Sequence, residues 1–479
     1  MTLKNLLEGA EVLSCTADLE REITSVTSDS RKVIGGALFV AVPGFKEDGA
    51  KYVPSALDKG AAAVICEHDF ENCPTVVVKN VRRELSRVSA NFFARPTARM
   101  TVVGITGTNG KTTSSCLVRH ILMTVGGVGV GLIGTNEIIV GGQATESVRT
   151  TPESVEIQEL FSRMLASGER HAVMEVSSHA LALDRVADVH YSVAAFTNLT
   201  RDHLDFHGDM ENYYQAKKLL FSMCDRATIN LDDEYGARLV GEVRCPVITT
   251  SARGDKNADV LATNIEYYAG GVRFIAEKSD ERAEVDLKIP GEFSVHNALT
   301  AIGVALGLGV SLSDAAKALG SFEGVKGRAE LVKVPADYSV IIDYAHTPDG
   351  IENILRALRA GLEGKLTIVF GCGGDRDRTK RPIMGEAAER LADFCVVTSD
   401  NPRTEDPQSI ICEIVAGMSD EHRRVVIPDR REAIAWALSH AKAGDVVLLA
   451  GKGQETYQEI NGVKHHLDER EVVAEFFAK

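Results

Sequence analysis

Apolar, strand-like runs alternate with segments of helical period over most of this 479-residue chain, and that alternation restricts the fold more than any other feature. Strands separated by helices pair in parallel through crossover connections, so the expected class is α/β with mainly parallel sheets. At roughly 150 residues per domain the length accommodates about three. A helical stretch running through Phe93 meets Ala94-Arg95-Pro96-Thr97, where proline stops it and a strand follows, which sets a boundary near residue 98. A second break falls at 320–327, after a helical region over 297–308 and before a strand series that starts at Val340. The expected domains are 1–98, 99–324 and 325–479. The first should hold strands at 37–42, 62–66 and 75–78 with a helix over 54–59; it carries no catalytic motif and reads as a packing or substrate-docking domain.

In the second domain, residues 101–106 read as a buried strand, and Gly107-Thr-Asn-Gly-Lys-Thr-Thr113 then opens a helix whose apolar face includes Leu117, Ile121 and Val125. Strand, glycine loop and helix in that order form a phosphate cradle. Glycines turn backbone N–H groups toward phosphates, Lys111 reaches the terminal phosphates, and Thr112 places a hydroxyl on Mg²⁺. The usual GxxxxGK[ST] spacing would put glycine at Ile105; here the glycines are 104, 107 and 110, so the loop is a variant. The domain is thus of the P-loop ATPase type, with a central parallel sheet.

Strands expected at 171–176 and 193–197 each end in polar residues, Glu175-Val-Ser-Ser-His179 and Asn198-Leu-Thr-Arg-Asp-His-Leu-Asp-Phe-His207. Ligands of an open parallel sheet bind beyond the carboxyl ends of its strands, so these groups should converge on the loop. Glu175 would hold Mg²⁺ with Thr112, and His203 a second ion, although Mg²⁺ prefers oxygen ligands. The third domain reads as Rossmann-like and repeats the logic four times. Strands at 339–343, 366–370, 394–398 and 446–449 lead to Tyr-Ala-His-Thr-Pro-Asp349, Gly-Cys-Gly-Gly-Asp-Arg376, Ser-Asp-Asn-Pro-Arg403 and Ala-Gly-Lys-Gly-Gln-Glu455. Arginine mixed with aspartate and glutamate on one rim suits a zwitterionic substrate such as an amino acid.

Composition narrows the partners. Fifty-three Lys and Arg against 68 Asp and Glu leave a net charge of -15, which argues against broad nucleic-acid binding and against an anionic membrane surface. Nine scattered cysteines without a CxxC pair suggest neither a disulfide framework nor a zinc site, and fit a reducing compartment. The first residues show no basic and apolar leader pattern, and no apolar run approaches the roughly 20 residues of a membrane span. The expected setting is cytoplasmic, with no nucleic-acid and no membrane partner.

With these motifs in place the chain resembles the Mur ligases, ATP-dependent amide-forming enzymes of peptidoglycan precursor synthesis. GTNGKTT at 107, MEVSSHAL at 174, NLTRDHLDFHGD at 198, HNALTAI at 296, DYAHTPD at 343 and GCGGDRDR at 371 occur in the family's order. The resemblance implies three domains in the roles of nucleotide-sugar-peptide binding, ATP binding and amino-acid binding. It implies that a D-glutamate carboxylate attacks the γ-phosphate of ATP to give an acyl phosphate and ADP, after which an amine displaces phosphate. Gly107, Thr108, Asn109, Gly110, Lys111, Thr112 and Thr113 would form the nucleotide loop; Thr112, Glu175 and His203 would serve Mg²⁺; Asn297, Arg328 and Asp343 would contact the nucleotide. Lys217, in Tyr213-Tyr-Gln-Ala-Lys-Lys, matches the family lysine that is carbamylated to bridge metal, which replaces a repelling ammonium with anionic oxygens. Sequence alone does not separate Lys217 from Lys218; Lys217 is taken because it follows the motif's alanine.

Ser28, Ser30, the turn of Phe45, Lys46 and Glu47, Thr150, Thr151, Ser177 and Arg185 match family positions for UDP-N-acetylmuramoyl-L-alanyl-D-glutamate. The TSDNPRTEDP segment resembles the family's meso-diaminopimelate motif, and implies that Asp400, Asn401, Pro402 and Arg403, with Arg376, Gly451 and Glu455, take that amino acid. Leu183 stands where some relatives have a polar contact, and Gln454 replaces the histidine of a GKGHE motif. The competing readings are a lysine-adding or folylpolyglutamate-type relative, against which the DNPR cluster speaks, and a nucleotide-gated switch without amide synthesis.

Overall fold

The computed structural model describes residues 1–44, 47–268 and 270–478. They form two compact units, one of Met1–Ser251, Asn257–Asp259 and Thr300–Ser311, the other of Ala252–Lys256, Val260–Leu299 and Leu312–Lys479.

The first unit begins with strands β1 (Val12–Cys15), β2 (Ser25–Thr27), β3 (Ala37–Val40), β4 (Ala63–Cys66) and β5 (Thr75–Val78), in the sheet order β1-β5-β4-β3-β2. Only the β1–β5 pair is antiparallel. Alternation along β3 sends Leu38 and Val40 to one face, packed with Val81, Leu85 and Val88 of the Val81–Phe92 helix, and Phe39 to the other, packed with Val53 and Ala56. Both faces are covered, so β3 to β5 read as unbroken apolar runs and were foreseen; β1, exposed along its whole length, was not.

The same unit continues with β6 (Thr101–Thr106), β7 (Val130–Ile133), β8 (Glu137–Val140), β9 (Gln143–Glu146), β10 (His171–Glu175), β11 (Tyr191–Phe196), β12 (Cys224–Asn230) and β13 (Val247–Ser251). Their order is β13-β12-β11-β6-β10-β7-β8-β9, parallel from β13 to β7 and antiparallel beyond. The phosphate-loop strand β6 is therefore central, flanked by β10, which ends in Glu175, and β11, which leads to Asn198 two residues past its last residue, Phe196. Along the Lys111–Gly126 helix, Leu117 and Ile121 are buried as the period requires, but Val125 is 41% exposed: it lies in the last turn, beside the left-handed Gly127 cap.

The second unit contains an antiparallel meander, β14 (Val260–Tyr268), β15 (Gly271–Lys278) and β16 (Glu281–Leu287), not anticipated from the sequence. Its main sheet comprises β17 (Glu330–Val332), β18 (Ser339–Asp343), β19 (Leu366–Phe370), β20 (Phe394–Val397), β21 (Arg424–Val426) and β22 (Val446–Ala450), in the order β17-β18-β22-β19-β20-β21. All pairs but β17–β18 are parallel. Asp343 lies in register with Ala450, Val369 with Leu449, and Phe370 with Val397, so the four expected polar clusters leave one edge of one sheet. A hairpin of β23 (Tyr457–Ile460) and β24 (Val463–His466) follows. Among the described residues no helix is long and apolar enough to cross a membrane.

Candidate active site

In the first unit the loop after β6 is held by the chain segment after β11. Thr108 N donates to Asn198 O (2.8 Å), Asn109 N to Asn198 Oδ1 (2.9 Å), Thr197 Oγ1 to Asn109 O (2.6 Å) and Thr200 N to Thr108 Oγ1 (3.0 Å). The Thr197 hydroxyl comes so close that any Cβ at position 107 would overlap it, which is why glycine is required there. Gly110, at φ +83°, turns the chain into the helix that starts at Lys111, and Thr113 is buried in its first turn.

Lys111 Nζ donates to the carbonyls of Gly107 and Thr108, both at 2.9 Å. Lys217 Nζ donates to the same Gly107 carbonyl at 2.8 Å and lies over the Tyr213 ring. Lys217 is 1% exposed. Burial, reinforced by the nearby Lys111 charge, pushes its ammonium well below the usual lysine range. Lys218, its neighbour, points elsewhere and pairs with Glu242 at 2.7 Å. Successive helical residues lie about 100° apart, so one of two adjacent lysines is buried and the other is not.

Glu175, buried at the end of β10, accepts from Thr112 Oγ1 (3.0 Å), Thr135 N (2.8 Å) and Thr135 Oγ1 (2.9 Å). Thr135 lies in the β7–β8 turn, outside any motif, and was missed. Its hydroxyl also lies 3.1 Å from Thr150 Oγ1, while Thr151 Oγ1 donates to Glu175 O (2.9 Å) and accepts from Ser177 N (3.0 Å). Ser177 caps the Ser178–Ala182 helix, and Arg185 donates to Thr151 O (3.3 Å) and pairs with Glu153 (3.0 Å). Thr150, Thr151, Ser177 and Arg185 thus form one connected group with Glu175. Leu183 is the C-cap residue of the same short helix.

His203 is half exposed in the left-handed region (φ +52°), with Asp202 at 3.4 Å and the His179 ring edge-on at 4.9 Å. Burial, then the neighbouring His203 and His207, lowers His179 to about 4. His207 Nε2 lies 2.9 Å from Ser178 Oγ and stacks on Tyr213. Ser28 is exposed and Ser30 half-buried, its carbonyl accepting from Lys59 at 2.7 Å. Glu47 accepts from the Tyr52 hydroxyl, while Phe45 and Lys46 lie outside the described residues.

The fit to a magnesium ion turns on donor chemistry. Thr112 and Glu175 present adjacent oxygens, the ligand type Mg²⁺ prefers. Among the described residues no group of three His, Cys, Asp or Glu side chains is arranged to hold a metal ion, so the set depends on the threonine hydroxyl and on oxygen that Lys217 could supply only as a carbamate.

In the second unit, Asn297 is buried on the Glu292–Gly307 helix. Asp343 accepts from Ala329 N (2.7 Å) and Ala345 N (2.8 Å); burial pushes its carboxyl up against the pull of Arg328. The Arg328 guanidinium lies 4.9 Å from the Tyr344 ring centre, and its buried Nε has no hydrogen-bond partner. Arg376 is exposed and donates to Asp375 O (3.3 Å). Arg403, also left-handed (φ +52°), places Nε 3.2 Å from Glu459 and donates from Nη1 to Gly374 O (2.8 Å). Its backbone bonds to Glu459 O (3.0 Å) and Asn461 N (2.8 Å), and Asn401 Oδ1 accepts from Glu459 N (2.9 Å), so the Asn401-Pro402-Arg403 turn is stitched to β23. Asn401 Nδ2 reaches Glu455 Oε2 at 2.8 Å, and a Cβ on Gly451 would press on the buried Asp400 carboxylate. Glu459 was missed because a glutamate in a polar hairpin carries no sequence signal. Gln454 keeps a buried, unpartnered Oε1.

Family profiles match in three stretches: "Mur ligase family, catalytic domain" at 22–92, "Mur ligase middle domain" at 105–305 and "Mur ligase, glutamate ligase domain" at 327–453. The chain belongs to the Mur ligase family. This Mur ligase is 45% identical over 484 residues, 100% of its length and 99% of the relative's, to the UDP-N-acetylmuramoyl-L-alanyl-D-glutamate–2,6-diaminopimelate ligase of Caldanaerobacter subterraneus subsp. tengcongensis. To the enzyme of the same name from Clostridium botulinum it is 43% identical, across 99% of both chains. A solved structure of a ligase with that name superposes with a TM-score of 0.76 at 31% identity, over 100% of this chain and 99% of the other.

Proposed function

We propose that this Mur ligase joins meso-2,6-diaminopimelate to UDP-N-acetylmuramoyl-L-alanyl-D-glutamate at the expense of ATP, through an acyl phosphate, with release of ADP and phosphate. Residues 1–98 would dock the nucleotide-sugar peptide, 99–324 bind ATP and 325–479 bind the amino acid. The observation that carries the reading is the Asp400-Asn401-Pro402-Arg403 turn: Nε and Nη1 of Arg403 have protein partners, which leaves Nη2 to meet the carboxylate that distinguishes diaminopimelate from lysine.

The chemistry asks two anions, a carboxylate and a triphosphate, to approach. Backbone N–H groups after Gly107, the start of the Lys111–Gly126 helix and the Lys111 ammonium supply positive potential where the phosphates lie. Lys111 would exchange its bonds to the loop carbonyls for phosphate oxygens. Thr112, Glu175 and His203 are the residues to hold Mg²⁺, with Lys217 as its carbamate. When bound, Mg²⁺ screens the charge between carboxylate and triphosphate. The lowered basicity of Lys217 favours the neutral amine, the form that adds to CO₂. Thr150, Thr151, Ser177 and Arg185 would orient the dipeptide, and Asn297, Arg328 and Asp343 the nucleotide. Substrates of this kind belong to the cytoplasm, which agrees with nine free cysteines.

The test is ADP release with UDP-muramyl dipeptide across candidate amino acids. Release that requires both the dipeptide and diaminopimelate is expected; release that needs neither would favour a nucleotide switch.

A further inference from the structure

The turn after β22 buries a charge to which the reaction scheme gives no role. Lys452 is 0% exposed and sits between Gly451 and Gly453, both at positive φ (+112° and +54°). Side chains at those two positions would press on the Asp400 carboxylate and on Tyr344, so the glycines let the backbone run close to Asp400 while the lysine points inward. Lys452 Nζ donates to Asn401 Oδ1 (2.9 Å) and Glu455 Oε2 (3.0 Å), and lies 3.7 Å from Asp400 Oδ1. One ammonium thereby ties together three of the residues assigned to the amino acid.

The charge count is informative. Asp400 and Glu455 contribute two negative charges and Lys452 one positive, so the cluster carries a surplus of one negative. Burial alone would drive Asp400 toward its neutral form, but the charges of Lys452 and Arg430 outweigh it and hold the carboxyl below its usual range. Arg430 is already matched by Glu469 at 2.8 Å, both fully buried. A surplus of one, in a cluster whose Asp400 lies three residues before Arg403, suits a single ammonium beside a carboxylate.

We infer that Lys452 is a positioning residue for amino-acid recognition, fixing Asp400, Asn401 and Glu455 from the interior side and setting the pocket's charge to accept one end of a zwitterion. The inference rests on the diaminopimelate-adding reading above.

The test is steady-state kinetics of the full chain with each of the three substrates varied in turn. Lys452→Met should raise KM for diaminopimelate about tenfold or more, the scale of one charge-assisted hydrogen bond, with KM for ATP and for the dipeptide unchanged. Lys452→Met/Glu455→Gln, which restores the surplus of one, should recover part of that loss. Should Lys452→Met fold poorly, Lys452→Arg decides: it keeps the charge but not the compact ammonium geometry, and should show the same selective rise. An unchanged KM for diaminopimelate in a folded variant, or all three KM values rising together, overturns the role of Lys452 alone. A wild-type protein that does not ligate diaminopimelate overturns the proposed function and this inference with it.

Discussion

In the first unit Lys111 and Lys217 donate to one and the same main-chain carbonyl, that of Gly107, whereas in the second unit Lys452, Arg403, Arg430 and Arg381 are each set against a carboxylate. A carbonyl is a dipole and satisfies a proton without cancelling a charge; a carboxylate does both. The first arrangement suits a ligand that brings several negative charges and needs little discrimination. The second suits a ligand whose charges must match in number and place, because its groups are already balanced and any mismatch leaves one of them unpaired.

The largest expected effect tests the second half of that contrast. Wild-type kcat/KM should favour diaminopimelate over lysine by on the order of 10⁴, since a closed site built around a polar group rejects an analogue lacking it. Arg403→Ala should lose diaminopimelate activity while ATP binding persists, and Arg403→Lys should not restore it, because the planar fork is gone. Comparable wild-type values for the two amino acids would erase the contrast.

The next effect belongs to the loop. Lys111→Ala should lower kcat by at least about 10²–10³ with folding intact, the scale of one lost electrostatic donor. Lys217→Ala should also lose activity, with partial recovery in a small carboxylic acid; absence of labelled bicarbonate on the active wild-type side chain would remove the carbamate from the scheme.

Stability sharpens the comparison further. Arg430→Met leaves Glu469 buried without its partner and should cost about 3–5 kcal/mol in denaturant unfolding. Lys217→Met replaces a buried amine whose charged form burial already disfavours, and Gly107 O retains the Lys111 bond, so the change should be neutral or stabilising. Similar losses for both would contradict the distinction drawn here.

The smallest effect is in acid. His179 is lowered to about 4 from 6.5, so between those values the unfolded chain takes up a proton that the folded one does not, and stability falls as pH drops through 6.5 toward 4. Glu405, bonded to the buried Arg381, is lowered to about 2 from 4.5. Its contribution is fully present above 4.5 and is lost as pH falls toward 2. Hydrogen exchange read separately over the two units should show the first loosening at the higher pH.

The sequence disclosed those parts that rest on unbroken apolar runs or on glycine next to charge. Residues 339–343, 366–370 and 75–78 were foreseen to the residue because strands covered on both faces leave no polar interruption. The β14–β16 meander was not, since its burial alternates and its residues look polar in a window of ordinary width. At the site, the loop, Glu175 and the Arg403 turn announced themselves by residue type and place. Lys217 and Lys218 could not be told apart without knowing which side of the helix is covered. Thr135, Lys452 and Glu459 act through partners 40, 51 and 56 positions away, a separation at which a single sequence carries no pairing information.

The stitching of Arg403 to β23 has an engineering consequence. A left-handed arginine costs on the order of 1 kcal/mol or more and stays in place only where its surroundings impose it. Here those surroundings are Glu459 and Asn461, with Gly374 receiving the side chain. Copying the four residues Asp400 to Arg403 into a relative with another amino-acid preference would therefore transplant the letters without the conformation. The smallest graft expected to carry the preference is three pieces moved together, the turn at 399–403, the glycine pair at 373–374 and the segment from Gly451 through Asn461.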